Sequence, residues 1–524
     1  MAAPDGAADG EWNRRWRAVR AWVFTTDPVR AGVLWIAASM LFFFFGGLAA
    51  LFMRTELAAP GRTIMGPEEY LGWFTLHGTF MIFFFAVVVF FGIGSAVVPR
   101  LIGANNMAFP RLNALDLWLI LLGGSILELG FLFGQKPIAG WTSYPPLSLG
   151  GFSPGLGQDW WIWAVGLETF GATMAGGNFL ATILRSRSPD VPLRSMPIPV
   201  WGILFSSVLV VIAGPFLLTA LGFLWLDRNF GTWFFAPETL PGPLLWQDLF
   251  WFYSHPATYV MIIPAFGFLS AVLHRFSGRS VLSTFTVIMG MAGVALFGLL
   301  VWWHHMFTTG LSSAAGLFAV AMTWTVALPS GVVILSWIAS LRWGRIHFTT
   351  PMLFALGFIL MFTVGGANGV FLSFLPFDVY AHDTYWVIAH FHYIIFGGTV
   401  LGLFAAIYYY FPIAFGRRLS EPLGKWHFWL TVVGINLTFF PMHYLGLQGM
   451  PRRIHDYDAA WGGVNMAETV GAFITAVAQL LFLANLAVTL VRGRPGRDDP
   501  WEEAEADRGT ATRPSPRTGT EEAA

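Results

Sequence analysis

Long apolar runs alternate along the chain with short polar loops. A helix needs about 20 apolar residues to cross the hydrocarbon of a bilayer. Runs of that length recur about twelve times, at roughly 31–53, 71–98, 114–135, 158–185, 196–226, 247–273, 283–307, 312–341, 350–375, 383–411, 427–448 and 465–491. Barrel strands are excluded, because they need only about 10 residues and alternate in polarity. The pattern predicts an all-α membrane protein of about twelve transmembrane helices. The loops carry their basic residues unevenly. The N-terminal segment, Arg100/Arg111, Arg185/Arg187/Arg194, Arg275/Arg279, Arg342/Arg345, Arg417/Arg418/Lys425 and Arg492/Arg494/Arg497 fall on one side, against Arg54, Arg62, Lys136, Arg228, Arg452 and Arg453 on the other. Cytoplasmic loops carry the excess of Lys and Arg. Both termini are therefore expected in the cytoplasm, with odd spans running outward and even spans inward.

Three regions follow. Residues 1–28 form a cytoplasmic N-terminal segment with Arg14, Arg15, Arg17 and Arg20 but no apolar stretch ahead of a small-residue cleavage site. Residues 29–491 form the membrane domain. Residues 492–524 are charged, Pro-containing and almost free of apolar side chains, and are expected to be a disordered cytoplasmic tail.

Composition agrees and narrows the chemistry. Of 524 residues, 56% are hydrophobic and 11% charged, against about 25% charged in a soluble domain, so soluble, disordered and collagen-like classes fall away. Lys+Arg and Asp+Glu are both 29, and a net charge of zero gives no reason to expect a nucleic-acid partner. With no Cys, disulfides, thiolate metal sites and iron–sulfur clusters are excluded in this chain. The 17% aromatic content suits helices packed around large flat cofactors, and the 12 His are left as candidates for metal chemistry.

Six of those histidines lie inside spans: His77, His255, His304, His305, His390 and His392. With the orientation above, all six converge on the outer third of the membrane. A lone intramembrane His is as often a helix-packing residue as a ligand, but six at one depth on four helices fit that reading poorly. Intramembrane ionisable residues are expensive and usually functional, and imidazole suits iron and copper. A proton relay without metal is the other plain reading. The adjacent His304–His305 pair argues against it, since relays mix acids with His. His390 and His392 project about 200° apart on a helix of 3.6 residues per turn, so one helix can serve two sites. His255 and Tyr259, four apart, share a face and would set a phenol beside a metal-ligating imidazole.

At these residues the chain resembles subunit I of the haem–copper oxygen reductases, closest to the cytochrome c oxidase branch. The resemblance spans nearly all of 30–491 and rests on LHGTFM (76–81), GANNMAFPRLN (103–113), GWTSYPPLS (140–148), FWFYSHPATY (250–259), VWWHHMFTTG (301–310), HDTYWVIAHFHY (382–393) and LGLQGMPRR (445–453). It implies two haems and one copper ion enclosed by the helices. His77 and His392 would be the axial ligands of a low-spin haem and His390 the sole protein ligand of a high-spin haem. His255, His304 and His305 would hold copper facing it. Tyr259 matches a tyrosine that family members cross-link to the first copper ligand. Arg54 matches an arginine that hydrogen-bonds the low-spin haem, Arg452 and Arg453 match a pair that binds haem propionates, and Trp141 joins the cofactor-binding set. His382 and Asp383 match a magnesium site. The resemblance further implies a bacterial or archaeal cell membrane as location and a subunit II carrying the electron-accepting site. The donor would be cytochrome c or a quinol, with membrane lipid around the chain.

The chain departs from the family where protons are moved. The acid usual in the second cytoplasmic loop is Asn106, the glutamate usual after His-Pro is Ala257, and the lysine expected in the eighth span is Val333. A family variant places Tyr-Ser before that His, and Tyr253–Ser254 match it. Glu128 and Glu168 stand within spans as replacement carriers, or as protonated acids bonded to a neighbouring helix. His274, His347, His427 and His455 are expected at surfaces or interfaces. Two functions follow. One is a terminal oxidase reducing dioxygen to water with weak or absent proton pumping, favoured by Tyr259. The other is a nitric oxide reductase of the same superfamily, favoured by the missing channels.

Overall fold

A computed structural model describes residues 11–279, 281, 283–493 and 501. The described residues are almost wholly helical. A short cationic helix, α1 (Glu11–Val23), precedes the membrane region. The first half of that region is α2 (Pro28–Glu56), α3 (Pro67–Thr79) continuing into α4 (Val89–Leu101), α5 (Pro110–Leu132), α6 (Gly157–Arg185), α7 (Ile198–Phe230) and α8 (Pro243–Ser277). The second half is α9 (Thr284–Gly298), α10 (Ser313–Arg342), α11 (Thr350–Leu372), the short α12 (Leu375–Ala381), α13 (Tyr385–Ile394) continuing into α14 (Leu401–Phe415), α15 (Glu421–Leu447) and α16 (Gly462–Arg492). Helices are required here because hydrocarbon offers no partner to an unpaired peptide group. Among the described residues, eleven helical segments are long and apolar enough to cross a membrane. The remaining expected span, the fourth, is α6; it has 29 residues but buries Gln158, Asp159, Glu168, Thr169, Asn178 and Thr182, and is correspondingly less apolar. Of the expected tail, 494–500 and 502–524 lie outside the described residues, as do 1–10 of the N-terminal segment; Trp501 is buried, with its ring 5.1 Å from Phe276.

Burial ranks the helices. The most apolar windows of Pro67–Leu101 and Pro243–Ser277 are 83% buried and that of Tyr385–Phe415 is 67%, whereas Ser313–Arg342 is 17% and Ala459–Arg492 is 28%. The three central spans therefore carry His77, His255, His390 and His392, and the peripheral ones present apolar side chains outward, as lipid requires. Two of the central spans are interrupted by a π-helical turn, at Phe80–Ala86 and at Ile395–Val400. Such turns insert one extra residue per turn and concentrate at functional sites. Each begins three residues after a histidine, His77 and His392.

Close helix contacts rest on small residues. α15 and α16 cross at Gly434 and Gly471, where a Cβ on Gly471 would lie 2.6 Å from Thr438 N and one on Gly434 2.7 Å from Thr475 N. In lipid, where apolar side chains gain nothing by leaving the solvent, backbone approach of this kind drives association. Gly471→Val is expected to wedge the two helices apart at about 1–3 kcal/mol, the usual cost of overpacking. Thermal unfolding of the purified protein in detergent should show a clear fall in midpoint, and an unchanged midpoint would discount the crossing.

Candidate metal and haem centre

His77, on α3, and His392, on α13, face each other across a cleft. Their ring centroids are 6.2 Å apart and their planes differ by 13°. Each Nδ1 is tied to a backbone carbonyl, His77 to Gly46 at 2.8 Å and His392 to Ile388 at 2.8 Å. An Nδ1–H donated to a carbonyl fixes the tautomer and leaves the Nε2 lone pair free for a metal. Two metal–nitrogen bonds of about 2 Å, end to end between parallel rings, need about this centroid spacing. The cleft fits a flat bis-imidazole cofactor.

His390 points to the other flank of α13, as the two-residue spacing requires. Its Nδ1 donates to the Gly365 carbonyl at 2.9 Å. Its ring also occupies the space a side chain on Gly369 would take, since a Cβ there would lie 2.7 Å from His390 Cε1. A cavity of about 460 Å³ lies against this ring, and its far wall carries His255, His304, His305 and Tyr259.

The three far-wall imidazoles converge, with one ligand atom from each lying within 4.8 Å of the others. His255 Nδ1 and His305 Nε2 are 3.1 Å apart, a separation that suits two nitrogens on one metal ion. His255 Nε2 is buried without a partner. His304 Nδ1 is held by Thr323 Oγ1 at 3.0 Å, and the His305 ring lies flat on Trp251 at 3.7 Å and 4°. Trp251 is in turn hydrogen-bonded by its indole N–H to the Tyr144 hydroxyl. His255 comes from α8, whereas His304 and His305 sit on a 3₁₀ turn (Trp302–Met306) that closes the span begun by α9. This turn lets two adjacent residues aim at one point. Tyr259 packs against His255 with ring centroids 5.0 Å apart, and Gly298 leaves room for it, a Cβ there lying 2.5 Å from the phenol ring.

The rim of the site is basic. Arg452 pairs with Asp383, its Nε 2.6 Å from Oδ1. Burial pushes the Asp383 carboxyl up, but Arg452, Arg453 and His382 together outweigh it and hold the group below its ordinary range. Arg453 is pushed down to about 10 by burial and by Arg452, so it stays charged at neutral pH. Its Nη2 donates to Thr142 Oγ1 at 3.2 Å, while its Nε is buried and unpartnered. Its guanidinium lies over Phe74, 5.9 Å from the ring centroid, on the helix that carries His77. The unpartnered Nε of this half-buried cation suits a carboxylate of a cofactor in the cleft. Trp141 lies against the same helix, 2.6 Å from where a Cβ on Gly78 would stand. His382 Nδ1 lies 3.1 Å from Asp378 Oδ2.

Among the residues read as proton carriers, Glu168 is fully buried; its Oε2 accepts from Thr169 at 3.1 Å and its Oε1 has no partner. The Tyr253 hydroxyl is likewise buried, beside Glu168 and Thr169. Ser254 lines the cavity, whereas Glu128 does not. Several readings need correction. Glu128 and Glu168 are not the only acids within spans. Asp116 on α5 is buried with both carboxyl oxygens unpartnered, and Glu468 on α16 is buried against Arg54. Both fall inside apolar runs already drawn, so a count of acids within those runs would have found them. His427 is not a surface residue. It is buried between Phe354 and Phe404, with Nδ1 3.2 Å from the Tyr408 hydroxyl.

Gly369→Ala is expected to push the His390 ring out of line. Optical and magnetic spectra should then lose any high-spin haem signal and keep the low-spin one; both signals intact would show that Gly369 is not needed to seat that ring.

The family described as cytochrome C and quinol oxidase polypeptide I matches residues 30–474. The chain is 42% identical over 491 residues to cytochrome c oxidase subunit 1 of Synechocystis, covering 94% of this chain and 89% of that one. It is 39% identical over 478 residues to quinol oxidase subunit 1 of Bacillus subtilis, covering 91% and 73%. A cryo-EM structure of a heme-copper terminal oxidase dimer superposes with a TM-score of 0.78 at 19% identity, over 90% of this chain and 85% of that one.

Proposed function

Because the chain belongs to the cytochrome c and quinol oxidase polypeptide I family, we propose that it is the catalytic subunit of a respiratory terminal oxidase that reduces dioxygen to water. The family makes it an oxidoreductase of the haem–copper class, and its apolar helices and bacterial relatives make it a multi-pass plasma-membrane protein. Those relatives give the archaeal alternative no support. The observation that carries the reading is the convergence of His255, His304 and His305 beside Tyr259, across one cavity from His390.

His77 and His392 would hold the low-spin haem, His390 the high-spin haem, and the three-histidine wall a copper ion. Bound there, haem iron and copper supply the electrons that split dioxygen. The protein's own contribution is placement. Three Nδ1 bonds to carbonyls aim three Nε2 atoms, and Tyr259 stands close enough to His255 to yield an electron and a proton at the same site. Arg453, with Arg452 and Trp141, would hold the haem carboxylates, and His382 with Asp383 would hold magnesium at the rim. Protons would arrive through Glu168, Tyr253 and Ser254, with Asp116 nearer the cytoplasmic end of its helix. A partner subunit would hand over electrons from cytochrome c or a quinol. Asn106, Ala257 and Val333 carry no titratable proton, so pumping by the family's usual routes would be weak or absent.

Purified enzyme given an electron donor is expected to consume dioxygen; brisk turnover of NO with dioxygen untouched would select the nitric oxide reductase instead. Tyr259→Phe should cut dioxygen turnover about a hundredfold or more, on the scale of a lost proton donor, while both haem spectra persist. Full activity in that variant would remove the phenol from the reaction. In sealed vesicles, proton movement should not exceed what water formation consumes. A further proton ejected with each electron would overturn the non-pumping reading.

A further inference from the structure

A buried ion pair links α2 to α16 beside the His77–His392 cleft. Arg54 Nη1 lies 3.1 Å from Glu468 Oε2, and the two side chains are 7% and 0% exposed. Arg54 Nη2 donates to the Asn465 carbonyl at 2.7 Å, and lies 3.2 Å from both Asn465 Oδ1 and Thr469 Oγ1. Thr469 in turn donates to the Arg54 carbonyl at 2.9 Å. The guanidinium is thus pinned to α16, and only its Nε lacks a partner. For stability alone such a pair is a poor choice, because well-packed apolar residues of similar volume usually do as well or better.

The pair's position suggests what it does. Gly46, which holds His77, lies eight residues before Arg54 on α2, about 12 Å back along the axis. On the other wall, Tyr385 reaches Arg54 from the first turn of the helix that carries His392. The pair therefore sits outward of both imidazoles, at the edge of the cleft. An uncompensated unit charge about 12 Å away, through an effective dielectric of about 20, shifts a one-electron equilibrium about tenfold. With Glu468 in place, the Arg54 charge is largely cancelled.

We propose that Glu468 is the counter-charge that sets the reduction potential of the haem held by His77 and His392, keeping it low enough for its electron to run downhill to the haem on His390. Glu468 is a positioning residue, acting through its contact with Arg54. The inference rests on the haem assignment above. That assignment fails separately, if the purified enzyme shows no six-coordinate low-spin haem spectrum.

The sign follows from charge. Removing a negative group favours the reduced haem, so Glu468→Gln should raise the midpoint potential of the low-spin haem alone. The expected size is about tenfold in the equilibrium, about 59 mV for one electron, read by spectroelectrochemical titration. Asn465→Asp, of the same shape, adds a negative charge against Nη2 and should lower the potential. It keeps the test open if Glu468→Gln fails to retain its haem. Glu468→Asp should leave the potential close to the parent's. No shift in either charge variant, with the low-spin spectrum intact, overturns the proposal; equal shifts in both haems do so too, since they would mark a general loosening of the bundle.

Discussion

Three half-buried imidazoles each donate Nδ1–H to a main-chain carbonyl, and that bond decides what the ring can do. Gly46, Gly365 and Ile388 supply the carbonyls for His77, His390 and His392. Without such a partner, a neutral imidazole in a helix bundle would lose a hydrogen bond and be free to turn about its side-chain torsions. With it, tautomer and orientation are set together. The helices, their small-residue crossings and the glycine that clears space for His390 all hold carbonyl and ring at that distance. Copper's three candidate ligands are organised differently, by one another, by Thr323 and by the flat face of Trp251, so their geometry depends on the turn that bears two of them.

Charge inside the bundle falls into two kinds. Paired groups hold structure: Arg228 grips Asp159 through two bonds of 3.0 and 2.9 Å and also donates to the Ser148, Ser153 and Gly155 carbonyls, tying the outer end of α7 to the long loop before α6. Arg54 and Glu468 do the same between α2 and α16. Unpaired groups, Asp116 and Glu168, have no counter-ion among the described residues, and an isolated carboxylate there is too expensive to be decoration. The scarcity of charge in the chain thus separates a few fixed pairs from the few acids free to exchange a proton.

Much of this was legible in one dimension. Apolarity is a local property, so the run expected at 71–98 became Pro67–Leu101 and that at 312–341 became Ser313–Arg342. The opposite projection of His390 and His392 followed from helical periodicity alone. What escaped depended on contacts distant in sequence or on small departures from periodicity. Arg54 and Asn465 are 411 residues apart, and neither residue announces the other. His427 looked like a span-end residue and is buried, because α15 starts at Glu421 and tucks its first turns against α11 and α14. His304 and His305 occupy a 3₁₀ turn that an apolar run cannot distinguish from α-helix, and the π turn at Phe80–Ala86 hides inside an unbroken apolar stretch.

Those π turns also divide their helices into two independently indexed halves. An extra residue in a turn rotates everything beyond it by about 100° relative to an uninterrupted α-helix. In Pro67–Leu101 and Tyr385–Phe415 the interruption begins three residues after the histidine, between the N-terminal part that bears it and the rest of the helix. Each half can keep its own facing. The C-terminal halves can therefore be rebuilt over evolutionary time, exchanging one set of polar residues for another, while the histidines stay in register with each other.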